Sequence, residues 1–144
     1  MRKVEALLRA VLPDASEVWA LGEGDRVSGG EVVLRIKARY LSYCIHETAI
    51  LGNLASETGW ATEAAECVET AGSVPVVSFG ARHVHPVASP YLDYAAVIGG
   101  SVSGSTPLGA ALSGTEPSGT MPHAMVLCFG DTHLIAELSA VNGR

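Results

Sequence analysis

Residues 74–79, Val-Pro-Val-Val-Ser-Phe, form an almost unbroken apolar run that stops at Gly80 and a polar cluster, Arg82-His83-Val84-His85-Pro86. A strand with no polar alternation belongs where both of its faces are covered, as in a parallel sheet flanked by helices. The flanking sequence supplies such helices. From about 46 to 70, Ile50, Leu54, Ala61, Ala64, Ala65 and Val68 make an apolar stripe, with Glu57, Glu63, Glu66 and Glu69 mostly off it. Gly59-Trp60 predicts a break in this helix, and Ala71-Gly72 predicts its end. After the apolar run the pattern predicts helices over 91–98 and 108–112, a short strand over 116–119, and helices over 124–129 and 131–141, the last stopped by Asn142-Gly143. Strand, polar loop and helix, repeated about three times, describe a parallel α/β layer.

The first 45 residues follow a different pattern. Val4, Leu7, Leu8, Val11 and Leu12 recur at helical spacing until Pro13-Asp14 ends the helix. A short strand is expected over 17–21, and the glycines and Asp25 of residues 22–30 read as turns. Between 32 and 39, Val32, Leu34, Ile36 and Ala38 alternate with Val33, Arg35, Lys37 and Arg39, the signature of an antiparallel strand wet on one side. The expected organisation is a small α+β lobe over 1–45 and part of an α/β-barrel domain over 46–144.

Composition narrows the function. Of the 144 residues, 48% are apolar and 17% charged, which excludes a disordered chain. Fifteen acidic against nine basic side chains give a net charge of −6, and with no Lys/Arg cluster a nucleic-acid partner is not expected. No apolar run approaches the ~20 residues of a membrane span. The first residues lack the small-residue cleavage site of a signal peptide. Three widely spaced cysteines without a CxxC fit buried thiols in a reducing cytoplasm better than a disulfide framework.

Three polar loops occupy the ends of expected strands, where α/β proteins gather their ligands. In the first, the Arg82 guanidinium suits a carboxylate or a phosphate, the alternative being an exposed arginine beside surface histidines. His83 and His85 share a face if the segment is a strand, but no acidic third ligand is near and Pro86 ends the segment, so no metal site is expected. The second loop, residues 99–107, is rich in glycine and hydroxyls, and Thr106-Pro107 can cap a helix start, where free N–H groups hold anions. A solvated turn is the plainer alternative; neither GxxxxGK[ST] nor GxGxxG occurs. In the third, Gly119-Thr120-Met121-Pro122-His123, the histidine stands between a strand and a helix. It is suited there to act as acid, base or nucleophile, or simply to pack at a helix start.

Three motifs taken together, residues 79–86, 95–100 and 119–124, resemble nicotinate phosphoribosyltransferase of the quinolinate-phosphoribosyltransferase-like group. Residues 47–52 and 58–62 are similar to the helix that precedes the family's barrel. The resemblance runs from about Val18 to Thr132. It implies an α/β chain with an incomplete type II phosphoribosyltransferase fold, the small lobe being followed by the first barrel strands.

The implied reaction moves a phosphoribosyl group from phosphoribosyl pyrophosphate to nicotinate in cytoplasmic NAD biosynthesis, assisted by ATP through a phosphorylated histidine. On the family's motifs His123 takes the place of that histidine and Thr120 that of the nicotinate-contacting threonine. Arg82 and His83 line the anionic site, and Ser105 and Thr106 belong to the substrate loop. Mg²⁺ is expected with the two co-substrates, and no tightly bound cofactor. Val102 departs from the family, standing where a polar residue is expected. Family members are much longer, with an aromatic residue before this region and later strands carrying a substrate arginine and a 5-phosphate loop. The expectation is therefore a fragment, inactive alone, that forms a homodimer or joins a complementing chain. Quinolinate phosphoribosyltransferase is the enzymatic alternative, and a non-catalytic remnant or structural subunit the alternative outside enzymes.

Overall fold

The structure, a computed structural model, describes residues 1–142. Helix α1 (Arg2–Val11) buries Val4 and Leu8 and ends before Pro13, whose missing N–H and fixed φ stop a helix. Strands β1 (Glu17–Ala20) and β2 (Leu34–Lys37) pair antiparallel, from Glu17 opposite Lys37 to Ala20 opposite Leu34. Leu34 and Ile36 turn toward Val4, Leu8 and Ile50, with Leu54 packed alongside, while Arg35 and Lys37 face water. The alternation expected over 32–39 holds from Leu34 to Arg39 but fails at its start, where Val32 is 64% exposed and Val33 half-buried; four residue pairs form the ladder, prolonged by the Leu21 N–H to the Val33 carbonyl (3.1 Å).

Two 3-10 turns (Tyr40–Ser42 and Cys44–His46) lead into α2 (Glu47–Ala71). The break expected at Gly59-Trp60 does not occur: α2 runs unbroken for 25 residues and ends at Gly72. A mid-helix glycine costs about 1 kcal/mol, and packing of α2 on both α1 and α3 outweighs it.

The parallel layer is smaller than its apolar sequence predicts. Strand β3 (Val77–Ser78) pairs with β4 (Ser103–Gly104), Val77 opposite Ser103 and Ser78 opposite Gly104. One further bond, from the Val102 N–H to the Val76 carbonyl (2.8 Å), prolongs the pairing. The expectation of a strand buried on both faces over 74–79 fails at its ends, since Val74 is 65% and Phe79 48% exposed. Pro75 has no N–H to donate, and β4 is confined between Gly99-Gly100 and Pro107, so no neighbour matches the run's length.

Helix α3 (Ser89–Ile98) is the centre of this half, with Leu92, Asp93, Tyr94, Ala95 and Ala96 buried against α2, α4 (Pro107–Ser113) and the strands. The strand expected over 116–119 is not formed. Pro117 cannot donate, and the segment is tied to β4 only by the Ser118 N–H to the Gly104 carbonyl (2.9 Å) and by the Ser103 hydroxyl to the Glu116 carbonyl. Helices α5 (His123–Phe129) and α6 (Thr132–Asn142) follow and pack on each other. The Gly143 of the expected helix stop lies outside the described residues. No described helix is long and apolar enough to cross a membrane.

Candidate functional site

Strand direction sets where chemistry can gather. β3 and β4 are parallel. The 116–119 segment runs the same way, because its two contacts advance together, Ser103 with Glu116 and Gly104 with Ser118. The turn after β3, the turn after β4 and the 119–123 loop thus leave one edge of the layer, the carboxyl edge where α/β folds bind ligands.

Arg82 and His83 lie in a 3-10 turn, Gly80–His83. Its backbone is fixed to α3: the Ser89 hydroxyl donates to the Ala81 carbonyl (2.9 Å), and Gly80 lies so close to Leu92 that a β-carbon would meet Cδ2 at 2.8 Å. Both side chains are exposed, and among the described residues neither makes a hydrogen bond or ion pair. A guanidinium without a counter-ion on a rigid turn is ready to take an anion. His85 is engaged locally. Its Nδ1 accepts the Val87 N–H (3.2 Å), and its carbonyl accepts the Ala88 and Ser89 N–H groups at the start of α3. His83 ends the 3-10 turn and residues 83–85 belong to no strand, so the strand alternation that would set His83 and His85 on one face does not apply.

Ser105 and Thr106 come together with two residues that the sequence motifs passed over. Asp93, fully buried on α3, accepts from the Ser78 hydroxyl (2.9 Å) through Oδ1. Through Oδ2 it accepts from the Thr106 N–H (2.7 Å), the Thr106 hydroxyl (2.7 Å) and the Ser105 hydroxyl (3.4 Å). Thr106 Oγ1 also accepts the Gly109 N–H (3.2 Å), so Thr106-Pro107 does cap α4 as its sequence predicts. Both hydroxyls expected at a substrate are turned inward in this structure. The signal for this cluster was a lone acid inside the apolar helical stretch around 92–96, an expensive placement unless donors surround it.

Thr120 is exposed in the irregular stretch before α5, and His123 is the exposed first residue of α5, after Pro122. Neither side chain hydrogen-bonds to a described residue, and neither forms an ion pair with Arg82 or His83. The structure therefore joins Ser105 with Thr106, sets Arg82 and His83 together in the turn after β3, and sets Thr120 and His123 in the loop and helix start after the 116–119 segment, with no hydrogen bond or ion pair between the two pairs.

Three clefts lie elsewhere. One of about 900 Å³ separates α1 from β1, a second of about 570 Å³ lies beside α2 and Tyr94, and a third of about 280 Å³ beside Trp60; none is lined by the six expected site residues. Glu23 organises the wall between the first two. Its Oε1 accepts the Met1 amino group (3.1 Å) and the Arg2 N–H (3.2 Å), and its Oε2 accepts the Tyr94 hydroxyl (2.6 Å). Burial alone would raise the Glu23 pKa; the hydrogen bonds from Tyr94, Met1 and Arg2 outweigh it and hold the carboxyl below its ordinary value. The same burial, with the Glu23 charge beside it, pushes the Tyr94 hydroxyl well above the ordinary tyrosine range. Lys3 pairs with Glu57 and stands 4.1 Å from the Tyr91 ring centre and 4.8 Å from that of Tyr94.

With this geometry in view, comparison with known proteins is informative. Residues 2–57 match the family model of the quinolinate phosphoribosyl transferase N-terminal domain. A solved structure, nicotinate-nucleotide pyrophosphorylase from Pyrococcus furiosus, superposes with a TM-score of 0.78 at 39% identity, over 89% of this chain and 33% of that one. Among curated relatives, a nicotinate phosphoribosyltransferase of Mycobacterium tuberculosis is 31% identical over 114 residues, covering 78% of this chain and 25% of the relative. That of Bacillus subtilis is 29% identical over 116 residues, covering 80% and 24%. The chain spans about a quarter of the length of the curated relatives it matches.

Proposed function

As the chain belongs to the quinolinate phosphoribosyltransferase-like family, we propose that it serves phosphoribosyl transfer from phosphoribosyl pyrophosphate to nicotinate, within NAD biosynthesis in the cytoplasm. In this reaction the ribose C1–oxygen bond breaks and its electrons leave with pyrophosphate. The nicotinate ring nitrogen supplies the pair for the new C1–N bond. Positive charge grows on the sugar as negative charge departs, so catalysis consists of positioning and electrostatic stabilisation. The observation that carries the reading is Arg82: exposed, without a counter-ion among the described residues, and on a turn whose backbone is held at the carboxyl edge from which the 119–123 loop also leaves. Arg82, beside His83, receives the anionic substrate, and Thr120 contacts nicotinate. The His123 imidazole attacks the terminal phosphorus of ATP, the bond to ADP breaks, and the phosphohistidine is later hydrolysed. Magnesium ions arrive as part of the polyphosphate substrates.

The loops supply one edge of such a site, and Leu41, Ile45 and Leu127 are each more than four-fifths exposed. The chain is therefore inactive alone and works with a second copy or a complementing polypeptide that covers these side chains. Quinolinate as acceptor is the second reading, favoured by the match of residues 2–57 to the quinolinate enzyme's domain. A dicarboxylate calls for more basic groups than the exposed turn offers, which ranks it second.

The test supplies the remaining barrel strands of a related enzyme as a complementing chain. It then follows pyrophosphate release with nicotinate or quinolinate, and transfer of the ATP γ-phosphate to protein. Nicotinate-dependent release, with phosphate transfer lost in His123→Ala, is expected. Release with quinolinate alone selects the second reading. A complemented assembly that releases no pyrophosphate with either acceptor overturns both.

A further inference from the structure

Asp93 is a fully buried carboxylate with four donors around it and, among the described residues, no cation paired with it. Three of the donors belong to the turn after β4, and the fourth, Ser78, belongs to β3. One side chain thus ties the turn after β4 to the strand that leads into the Arg82 turn. The space it occupies is reserved by two glycines: a β-carbon at Gly104 would meet Asp93 Cβ at 2.5 Å, and one at Gly109 would meet it at 2.6 Å. We propose that Asp93 is a positioning residue, holding the turn after β4 in register with β3 and so fixing the backbone that faces the phosphoribosyl donor. This rests on the function proposed above.

The hydrogen-bond inventory separates this role from a purely electrostatic one. An asparagine can keep its oxygen toward Thr106 and turn its NH₂ to Ser78, whose hydroxyl then accepts instead of donating. An alanine leaves the Thr106 N–H and three hydroxyls without an acceptor. Positioning therefore predicts that Asp93→Asn is tolerated and Asp93→Ala is not. A role through charge predicts that either change tightens anion binding, since a buried negative charge repels phosphate.

The probe is phosphoribosyl pyrophosphate with magnesium, titrated into the ¹⁵N-labelled full chain with the complementing chain present and read from the amide shifts of the labelled chain. Relative to the native chain, Asp93→Asn is expected to bind within about threefold, and Asp93→Ala about tenfold more weakly. Should the alanine variant fail to fold, Ser78→Ala cuts only the tie to β3 and weakens binding by about two- to fivefold. Arg82→Ala weakens binding without moving the Thr106 amide resonance of the unliganded chain. Affinity unchanged in both Asp93→Ala and Ser78→Ala, or tightened in Asp93→Asn, overturns the role of Asp93 alone. A native chain that shows no shift even with the complementing chain present overturns the functional reading together with it.

Discussion

Gly99 and Ala61 touch backbone to backbone: a β-carbon at Gly99 would stand 2.3 Å from the Ala61 carbonyl oxygen and 2.9 Å from Ala64 Cβ. This contact closes α2 onto the end of α3, and α3 in turn carries both the Arg82 turn and Asp93. The approach of α2 to the end of α3 thus depends on the absence of one methyl group.

Gly99→Ala should therefore destabilise the chain, although its backbone (φ −72°, ψ −4°) suits any residue. Lost freedom in the unfolded chain favours alanine by about 0.4–1 kcal/mol, whereas overpacking costs about 1–3 kcal/mol, and a carbonyl inside a helix cannot step aside. Gly59→Ala is the control: it sits inside α2 with nothing near its would-be β-carbon, so it should stabilise by about 0.5–1 kcal/mol. Urea unfolding of both variants decides the matter, and equal shifts of the same sign would refute the packing argument.

Thr106 joins helix capping to the buried carboxylate. Thr106→Val removes the cap on the Gly109 N–H and one donor to Asp93, and should cost about 2–3 kcal/mol. Thr106→Ser keeps both bonds and should stay within about 0.5 kcal/mol of the native chain. The unfolding midpoints of the two variants test this, and a serine variant as weak as the valine one would mean that the methyl group, not the hydroxyl, is what the site needs.

Much of this architecture was legible in the sequence, and the omissions have physical causes. The alternation of Leu34 and Ile36 with Arg35 and Lys37, the helical repeat of Val4 and Leu8, and the Thr106-Pro107 cap all appear as read, because each depends on neighbours along the chain. The length of β3 depends on a partner strand, which residues 74–79 do not reveal. The strand expected over 116–119 lacks a ladder for a related reason, as Pro117 removes the donor its pairing needs. Gly59 did not break α2, since tertiary packing outweighed its propensity. Asp93 went unread because its four donors lie twelve or more residues away, beyond the reach of a local motif.

Glu23 gives the fold an acid limit. Its pKa is lowered in the folded chain, so its contribution to stability is complete above its ordinary value of about 4.5 and disappears as the pH falls from there through the lowered folded value. Glu23→Gln should reduce stability near neutral pH, and the difference from the native chain should shrink steadily below about pH 4.5. Thermal melts from about pH 3 to pH 7 measure that difference; a gap that stays constant across the range would show that the carboxyl charge plays no part.

The exposed apolar side chains make the final test. Leu127 is 81% exposed on α5 and Ile45 82% exposed before α2, far apart along the chain. An exposed leucine or isoleucine contributes little to its own fold, so Leu127→Glu and Ile45→Glu should each alter stability by no more than about 0.5 kcal/mol. Covering such a side chain at an interface is favourable by about 1.5–3 kcal/mol, and placing a carboxylate there reverses the sign. Each substitution should therefore leave the melt intact while lowering association with a second copy or a complementing chain by about tenfold or more, as read by gel filtration and sedimentation. If one variant dissociates and the other does not, the interface is assigned to that side chain's surface; if the native chain and both variants sediment alike with the complementing chain present, neither surface is covered in the working protein.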